Sequence, residues 1–153
     1  MNMRTRQKRC SERALVKQCL KTIRSSPHVH ACSEVPVLGR SADLAYILDG
    51  VLTTIEFKLR DWRKAIVQVQ DHLLGADYCY VCMPKRKVSD VMRSELSEKG
   101  IGLFFLREDN EWPFEEVMEA RRSEHTWEVA RRWAVEYIYE NEGRVAWRNK
   151  KRT

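Results

Sequence analysis

The dipeptide Asp49-Gly50 restricts the possible folds of this chain more than any other short feature of its sequence. A type I′ β-turn needs positive φ at both central residues, and Asp-Gly is among the pairs that tolerate this. Apolar and β-branched residues flank the pair on both sides, as in strands. The segment 41–58 therefore predicts a two-residue β-hairpin, in which residues whose numbers add up to 99 face each other.

This register brings three charged side chains to one face of the hairpin. Asp43 lies opposite Glu56, and Lys58, two residues further along the strand, points to the same face. Directly opposed Cβ atoms are about 4.5–5.5 Å apart. Two carboxylates at that distance repel by roughly 3 kcal/mol at an effective dielectric constant near 20. The pair is stable only if a cation lies between the two groups or one of them is protonated.

The charged patch has two interpretations. In the first, Lys58 is the cation, and the three side chains form a solvated network on a polar sheet face. In the second, the two carboxylates bind a hard divalent cation, because Mg²⁺ prefers oxygen ligands and takes few of them from protein. The remaining residues of this face are apolar, which favours the second interpretation: Ala45, Ile47 and Leu52.

The pattern of Asp43 followed by Glu56-Phe57-Lys58 on the next strand resembles the PD-(D/E)XK nuclease superfamily, in which an Asp and an Asp/Glu-X-Lys share a hairpin. Ala42 stands where the motif usually has proline. The resemblance implies a restriction-endonuclease-like fold and Mg²⁺-dependent hydrolysis of DNA, with Mn²⁺ as a substitute. It also implies that Asp43, Glu56 and the backbone carbonyl of Phe57 bind the metal, and that Lys58 is catalytic.

The first helix is predicted over 11–24, with Ser11 as its N-cap. Glu12 falls near the centre of the apolar stripe of this helix, where a carboxylate is unexpected. The opening of the helix resembles that of archaeal Holliday-junction resolvases, in which a Glu from this helix joins the metal site. The resemblance implies a catalytic and metal-binding role for Glu12; the alternative is a solvated first turn.

A second helix is predicted from Asp61, a good N-cap, to Gly75 at the C′ position. Gln68 and His72, four residues apart, resemble the Q-x-x-x-Y element that follows E-x-K in exonuclease-like members. This implies that Gln68 orients the lysine, the attacking water or the substrate phosphate. A polar flank of an amphipathic helix explains the pair equally well, and Gln70 is a second candidate.

The order of predicted elements indicates an α/β fold in which helices cover both faces of a mixed sheet. The core domain spans 11–106, with a strand over 28–38, the hairpin, and two buried strands over 78–83 and 101–106. The remainder, 107–153, is predicted to be a helical extension with a basic tail. Its expected helices span 113–122 and 124–140.

The charge distribution suits a polyanionic partner such as DNA. The formal net charge is +6. Residues 1–30 contain eight Lys or Arg and one acidic residue, and the last ten residues contain five Lys or Arg and no acidic residue. A solubilising tail is the alternative. Arginines 121, 122, 131 and 132 also suit phosphates. The candidate nucleic-acid contacts are Arg13, Lys85, Arg86, Lys87, Arg144, Trp147, Arg148, Lys150, Lys151 and Arg152.

The composition indicates in which cellular compartment the protein functions. Five cysteines at irregular spacing argue against a disulfide framework and for a reducing compartment. Cys79 and Cys82 have the spacing of a zinc site, but in a strand their side chains point to opposite faces. No apolar run approaches the roughly 20 residues of a membrane span, and no signal peptide is recognisable. We therefore expect a cytoplasmic protein.

The leading hypothesis is a structure-selective endodeoxyribonuclease of repair, recombination or phage biology that cuts junctions, flaps or ends. A resolvase of this kind would be a homodimer, because it must cut two strands. The competing hypothesis is a nucleic-acid-binding module that does not cut, or a subunit of a larger nuclease or defence complex.

Overall fold

Six strands form one mixed sheet whose spatial order follows the sequence, from β1 to β6. The computed structural model describes residues 11–152, with side chains for 11–142. The strands are β1 (Val29–Val37), β2 (Arg40–Leu48), β3 (Val51–Phe57), β4 (Tyr78–Met83), β5 (Gly102–Leu106) and β6 (Phe114–Met118), and the helices are α1 (Glu12–Arg24), α2 (Trp62–Gln70), α3 (Asp90–Lys99) and α4 (Glu128–Arg152).

The hairpin between β2 and β3 folds as predicted. Asp49 and Gly50 have φ angles of 52° and 76°, both positive as a type I′ turn requires. The two strands pair from Leu48 opposite Val51 down to Leu44 opposite Ile55. The predicted register is therefore confirmed for these five residue pairs. β3, β4 and β5 then run parallel, whereas β1 and β6 are antiparallel edge strands.

Helices cover both faces of the sheet, as the order of elements predicts. α1 packs its apolar stripe on one face, and the other three helices pack on the opposite face. Cys82 lies in the core under α1 and Cys79 lies in the other core, so the predicted separation of this cysteine pair is confirmed. Ser11 and Ser89 cap α1 and α3 through their side chains, and the Ser11 cap lies at the predicted helix start.

The ribbon of β1 and β2 bends where Glu34 faces Asp43. Ser33 pairs with Leu44 and Val35 pairs with Ala42, but the ladder has no pair between them. Glu34 has a φ angle of 51°. Cys32 and Val35 pack in the same core although they are three residues apart, and strict alternation would send them to opposite faces. The bend therefore turns the end of the ribbon over the face that carries α2, α3 and α4.

The predicted helix over 113–122 is wrong, because β6 occupies its first half. Phe114 is buried and stacks on Phe104 of β5, with ring centroids 4.9 Å apart and planes 12° from parallel. Glu115 and Glu116 are exposed on this edge strand. Pairing with the free edge of β5 and burial of one aromatic ring outweigh the helix propensity of the glutamates.

Two helix boundaries also differ from the prediction. α2 ends at Gln70 and is followed by a 3₁₀ turn over His72–Leu74. Gly75 has a φ angle of −125°, so it is not a left-handed cap; a Cβ there would lie 2.5 Å from Val37. α4 begins at Glu128 rather than 124 and extends to Arg152. Within the part of the chain that the structure describes, no helix combines the length and apolar character needed to span a bilayer.

A buried ion pair ties α4 to the tip of the hairpin. Asp77 is 4% exposed and accepts hydrogen bonds from the Leu52 N–H at 2.8 Å and from Arg131 Nη2 at 2.9 Å. Arg131 also donates to the Gly50 carbonyl at 2.8 Å. Burial opposes ionisation of Asp77, but these hydrogen bonds outweigh it and hold its pKa below the usual value. Arg131 is thus an internal partner of Asp77 rather than a free phosphate contact.

We expect Asp77→Asn to lower the free energy of unfolding by about 3 kcal/mol, because it leaves the Arg131 guanidinium without its anion. Asp71→Asn is the matched control: Asp71 pairs with Arg40 at 2.6 Å, but both side chains are about half exposed, at 51% and 49%. Its loss should be below about 1 kcal/mol. Urea unfolding measures both, and equal losses would contradict this interpretation.

Candidate active site

Asp43 and Glu56 occupy the level of the hairpin directly after its last recorded pair. Asp43 Oδ2 accepts a hydrogen bond from the Phe57 N–H at 2.8 Å, and the Asp43 and Glu56 carboxyl groups share a hydrogen bond. Glu56 is 5% exposed, and its buried Oε2 has no hydrogen-bond partner within residues 11–142. The structure thus brings together the two acids that the register predicts, with Glu56 buried and Asp43 half-buried.

The electrostatics of this pair follow from burial and mutual repulsion. Burial, and then the negative charge of Asp43, raise the pKa of Glu56 to about 8, while Lys58 acts in the opposite direction. Burial also raises the pKa of Asp43, against the hydrogen bonds from Phe57 and Glu56. Without a cation, the pair therefore keeps a proton to a higher pH than either acid would alone.

Lys58 lies next to the acid pair and is fixed by Glu12. The Lys58 side chain is 14% exposed, and its Nζ is 3.9 Å from Glu12 Oε1. Glu12 Oε2 also accepts the Leu59 N–H at 3.0 Å. Glu12 is therefore part of the site and not a solvated first turn. Its recorded contacts are with the lysine and the backbone that follows it.

These side chains line one open cavity of about 500 Å³ between α1, the bend of the ribbon and α2. Four carboxylates and three cationic groups face it. Lys17 and Ser33 are members that the sequence analysis missed; the position of Lys17 four residues after Arg13, one helical turn, was the available signal. The lining residues are Glu12, Arg13, Val16, Lys17, Ser33, Glu34, Asp43, Glu56, Lys58 and Gln68.

Of the predicted glutamine–histidine pair, Gln68 alone lines this cavity. Its Oε1 is buried without a hydrogen-bond partner. His72 is 1% exposed, neither ring nitrogen has a partner, and burial lowers its pKa to about 4. Gln70 lines a different cavity beside Leu73. His72 is thus a neutral core residue, and Gln68 is the member placed to act on a ligand.

The predicted basic residues divide into three groups. Arg13 is exposed at the rim of the cavity. Arg86 donates to the carbonyl of Arg60 at 3.3 Å, which brings the basic loop 85–87 beside the turn that follows Lys58. Lys85 lines a neighbouring cavity on the far side of α1. The side chains of Arg144, Trp147, Arg148, Lys150, Lys151 and Arg152 lie outside the described residues.

The acid pair fits a hydrated divalent cation. Within residues 11–142, no three or more His, Cys, Asp and Glu side chains converge closely enough to hold a metal ion. Asp43 and Glu56 therefore offer two carboxylates, one with a buried oxygen that lacks any partner. Mg²⁺ commonly takes one or two carboxylates and keeps several waters. The donor chemistry and the unsatisfied oxygen are consistent with that ion.

Comparison with known proteins shows a similar fold. No protein-family model and no curated protein matches this sequence. The SPO1766 protein of unknown function from Silicibacter pomeroyi aligns with a TM-score of 0.59 and 18% identity, over 84% of this chain and 87% of that one. An XisH family protein from Nostoc punctiforme aligns with a TM-score of 0.49 and 15% identity, over 67% of this chain and 98% of that one. Pyrococcus furiosus SfsA in complex with Ca²⁺ aligns with a TM-score of 0.36 and 11% identity, over 76% of this chain and 64% of that one.

We expect the metal-free protein to lose stability as the pH rises from 4.5 to about 8. The unfolded Glu56 ionises near 4.5, whereas the folded one keeps its proton up to about 8, so folding takes up a proton in this window. The free energy of unfolding should fall by up to about 1.4 kcal/mol per pH unit. Urea unfolding in a chelating buffer measures the fall; Glu56→Gln should remove it, and parallel profiles would refute the assignment.

Proposed function

We propose that this protein is a Mg²⁺-dependent nuclease of the PD-(D/E)XK type that hydrolyses phosphodiester bonds of DNA. The observation that carries the proposal is the adjacent pair of the half-buried Asp43 and the buried Glu56 beside Lys58, in which Glu56 Oε2 has no hydrogen-bond partner among the described residues. Two adjacent carboxylates that are withdrawn from water repel each other and do not stabilise a fold. A site that exchanges the shared proton for a cation explains why both are present.

Each side chain then has a role that follows from its surroundings. Asp43 and Glu56 would hold a Mg²⁺ ion, which would supply Lewis-acid polarisation of the scissile phosphate and a more acidic water. The Lys58 ammonium would stabilise the negative charge that develops on the phosphate. Glu12 holds Lys58 in position through the 3.9 Å ion pair. Gln68 supplies a further polar group that lines the cavity.

The basic groups around the cavity would hold the DNA backbone. Arg13 and Lys17 follow each other along the exposed side of α1 at its rim. The loop at 85–87 adds Arg86, which contacts the turn after Lys58, and two further lysines in sequence. The basic residues of 144–152 extend the positive charge further along the chain. Contacts of this kind bind phosphates without reading sequence.

We propose a structure-selective endonuclease that acts on junctions, flaps or ends. The cavity is open, its cationic groups Arg13, Lys17 and Lys58 suit phosphates, and a chain of 153 residues has little room for elements that read base edges. Cutting two strands of a junction would require two copies of this chain, so the resolvase form of the proposal includes a homodimer.

Substitution of the core residues tests the chemistry. Glu56→Gln and Lys58→Ala should each lower kcat by about 10²–10³ or more, because each removes a charge used in the transition state. DNA affinity should stay close to that of the wild type. Cleavage of labelled four-way junctions, flaps, single strands and linear duplexes, with and without Mg²⁺ or Mn²⁺, measures the first effect, and a binding titration in chelator measures the second.

Lys21→Ala is the control, because Lys21 is an exposed cation in the last turn of α1, away from the cavity. It should keep wild-type turnover. Wild-type turnover in Glu56→Gln or Lys58→Ala would overturn the assigned roles. A wild-type protein that binds these DNAs but cleaves none of them with either cation would instead be the non-hydrolytic binding module.

The basic end of the chain should set the salt dependence of binding. Replacing Arg144, Arg148, Lys150, Lys151 and Arg152 by Gln should reduce the slope of log Kd against log salt by up to about 4.5, since each phosphate contact contributes about 0.9. Gln at the exposed Lys64 and Arg93 is the control and should leave the slope unchanged. Equal slopes for the wild type and the five-residue variant would remove this segment from the DNA interface.

A further inference from the structure

Glu34 has an unusual backbone conformation for a residue inside a strand. Its φ angle is 51°, in the left-handed region that non-glycine residues rarely adopt. It interrupts the pairing of β1 with β2 at the level where it faces Asp43. The bend of the ribbon requires such a residue, but Gly or Asn would meet the requirement at lower cost. The backbone conformation alone therefore does not explain why glutamate occupies this position.

The side chain of Glu34 supplies that reason. It lines the same cavity as Asp43 and Glu56, and it is exposed. Among the hydrogen bonds and salt bridges of residues 11–142, none involves its carboxylate. Glu12, the remaining acid of the cavity, is engaged by Lys58 and the Leu59 N–H. Glu34 is thus the carboxylate that faces the acid pair with its oxygens available.

We infer that Glu34 is a positioning residue of the cation site, which holds the water shell of the ion opposite the Asp43–Glu56 pair. This inference rests on the proposed function. An independent sign of a ligand is the unpartnered Oε2 of Glu56, a side chain 5% exposed.

Binding through water follows from the spacing of the acids. No three acids of the described chain converge closely enough to ligate one ion directly. Mg²⁺ keeps most of its waters, and those waters need acceptors. Glu34 lines the same cavity as the two direct ligands and is exposed, so it is the acceptor available to those waters. Partners in the outer shell of a metal typically change its affinity by ten- to a hundredfold.

Two substitutions at this position separate a role in the cation site from a role in the fold. Glu34→Gln keeps the backbone requirement and removes the charge, so cation affinity should fall by about ten- to a hundredfold at unchanged stability. Glu34→Gly should lose the same affinity while its urea midpoint rises, because glycine adopts positive φ without strain. Calorimetric titration with Mn²⁺ and urea unfolding in chelator provide the two measurements.

Three controls complete the experiment. Glu98→Gln removes one exposed carboxylate on α3, and Leu38→Asn changes another non-glycine residue with a φ angle of 51°; both should leave Mn²⁺ affinity unchanged. Glu56→Gln should abolish Mn²⁺ binding. If Glu56→Gln abolishes Mn²⁺ binding but Glu34→Gln binds Mn²⁺ like the wild type, the inference about Glu34 is wrong, and the metal site at Asp43 and Glu56 is retained. If Glu56→Gln binds like the wild type, the metal site itself is refuted.

Discussion

The rest of the site depends on the repulsion between two carboxylates that a tight hairpin places side by side. The turn at Asp49-Gly50 permits one register, and that register puts the half-buried Asp43 next to the buried Glu56. The two acids cannot separate without breaking the pairing of β2 with β3. The neighbouring features all reduce this repulsion: a shared proton, the ammonium of Lys58, and an open cavity that admits a cation.

The two ends of β3 have different roles. At the hairpin tip, the buried Asp77 and the partly exposed Arg131 form a hydrogen-bonded pair that ties α4 to the turn. At the other end, Glu56 Oε2 has no hydrogen-bond partner among the described residues. Buried polar groups without partners destabilise a fold, so they are retained where a ligand completes them. The end of β3 at the hairpin tip therefore stabilises the fold, and its other end carries the candidate active site.

Local sequence signals predicted much of this structure because they act over a few residues. The hairpin register, the Ser11 and Asp61 caps, β4 and the opposite faces of Cys79 and Cys82 all follow from turn or cap chemistry or from side-chain periodicity. β6 was missed for the opposite reason: Phe-Glu-Glu-Val-Met has no strong strand pattern of its own, and it becomes a strand by pairing with an exposed edge.

The sequence by itself determined that Asp43, Glu56 and Lys58 share one face, because a two-residue turn and a period of two leave no other arrangement. Tertiary structure alone decided what surrounds them. The approach of Glu12 to Lys58, the position of Lys17 at the rim and the turn of Glu34 toward the acid pair depend on how α1 packs and where the ribbon bends. Those distances join residues far apart in the chain, so no local pattern encodes them.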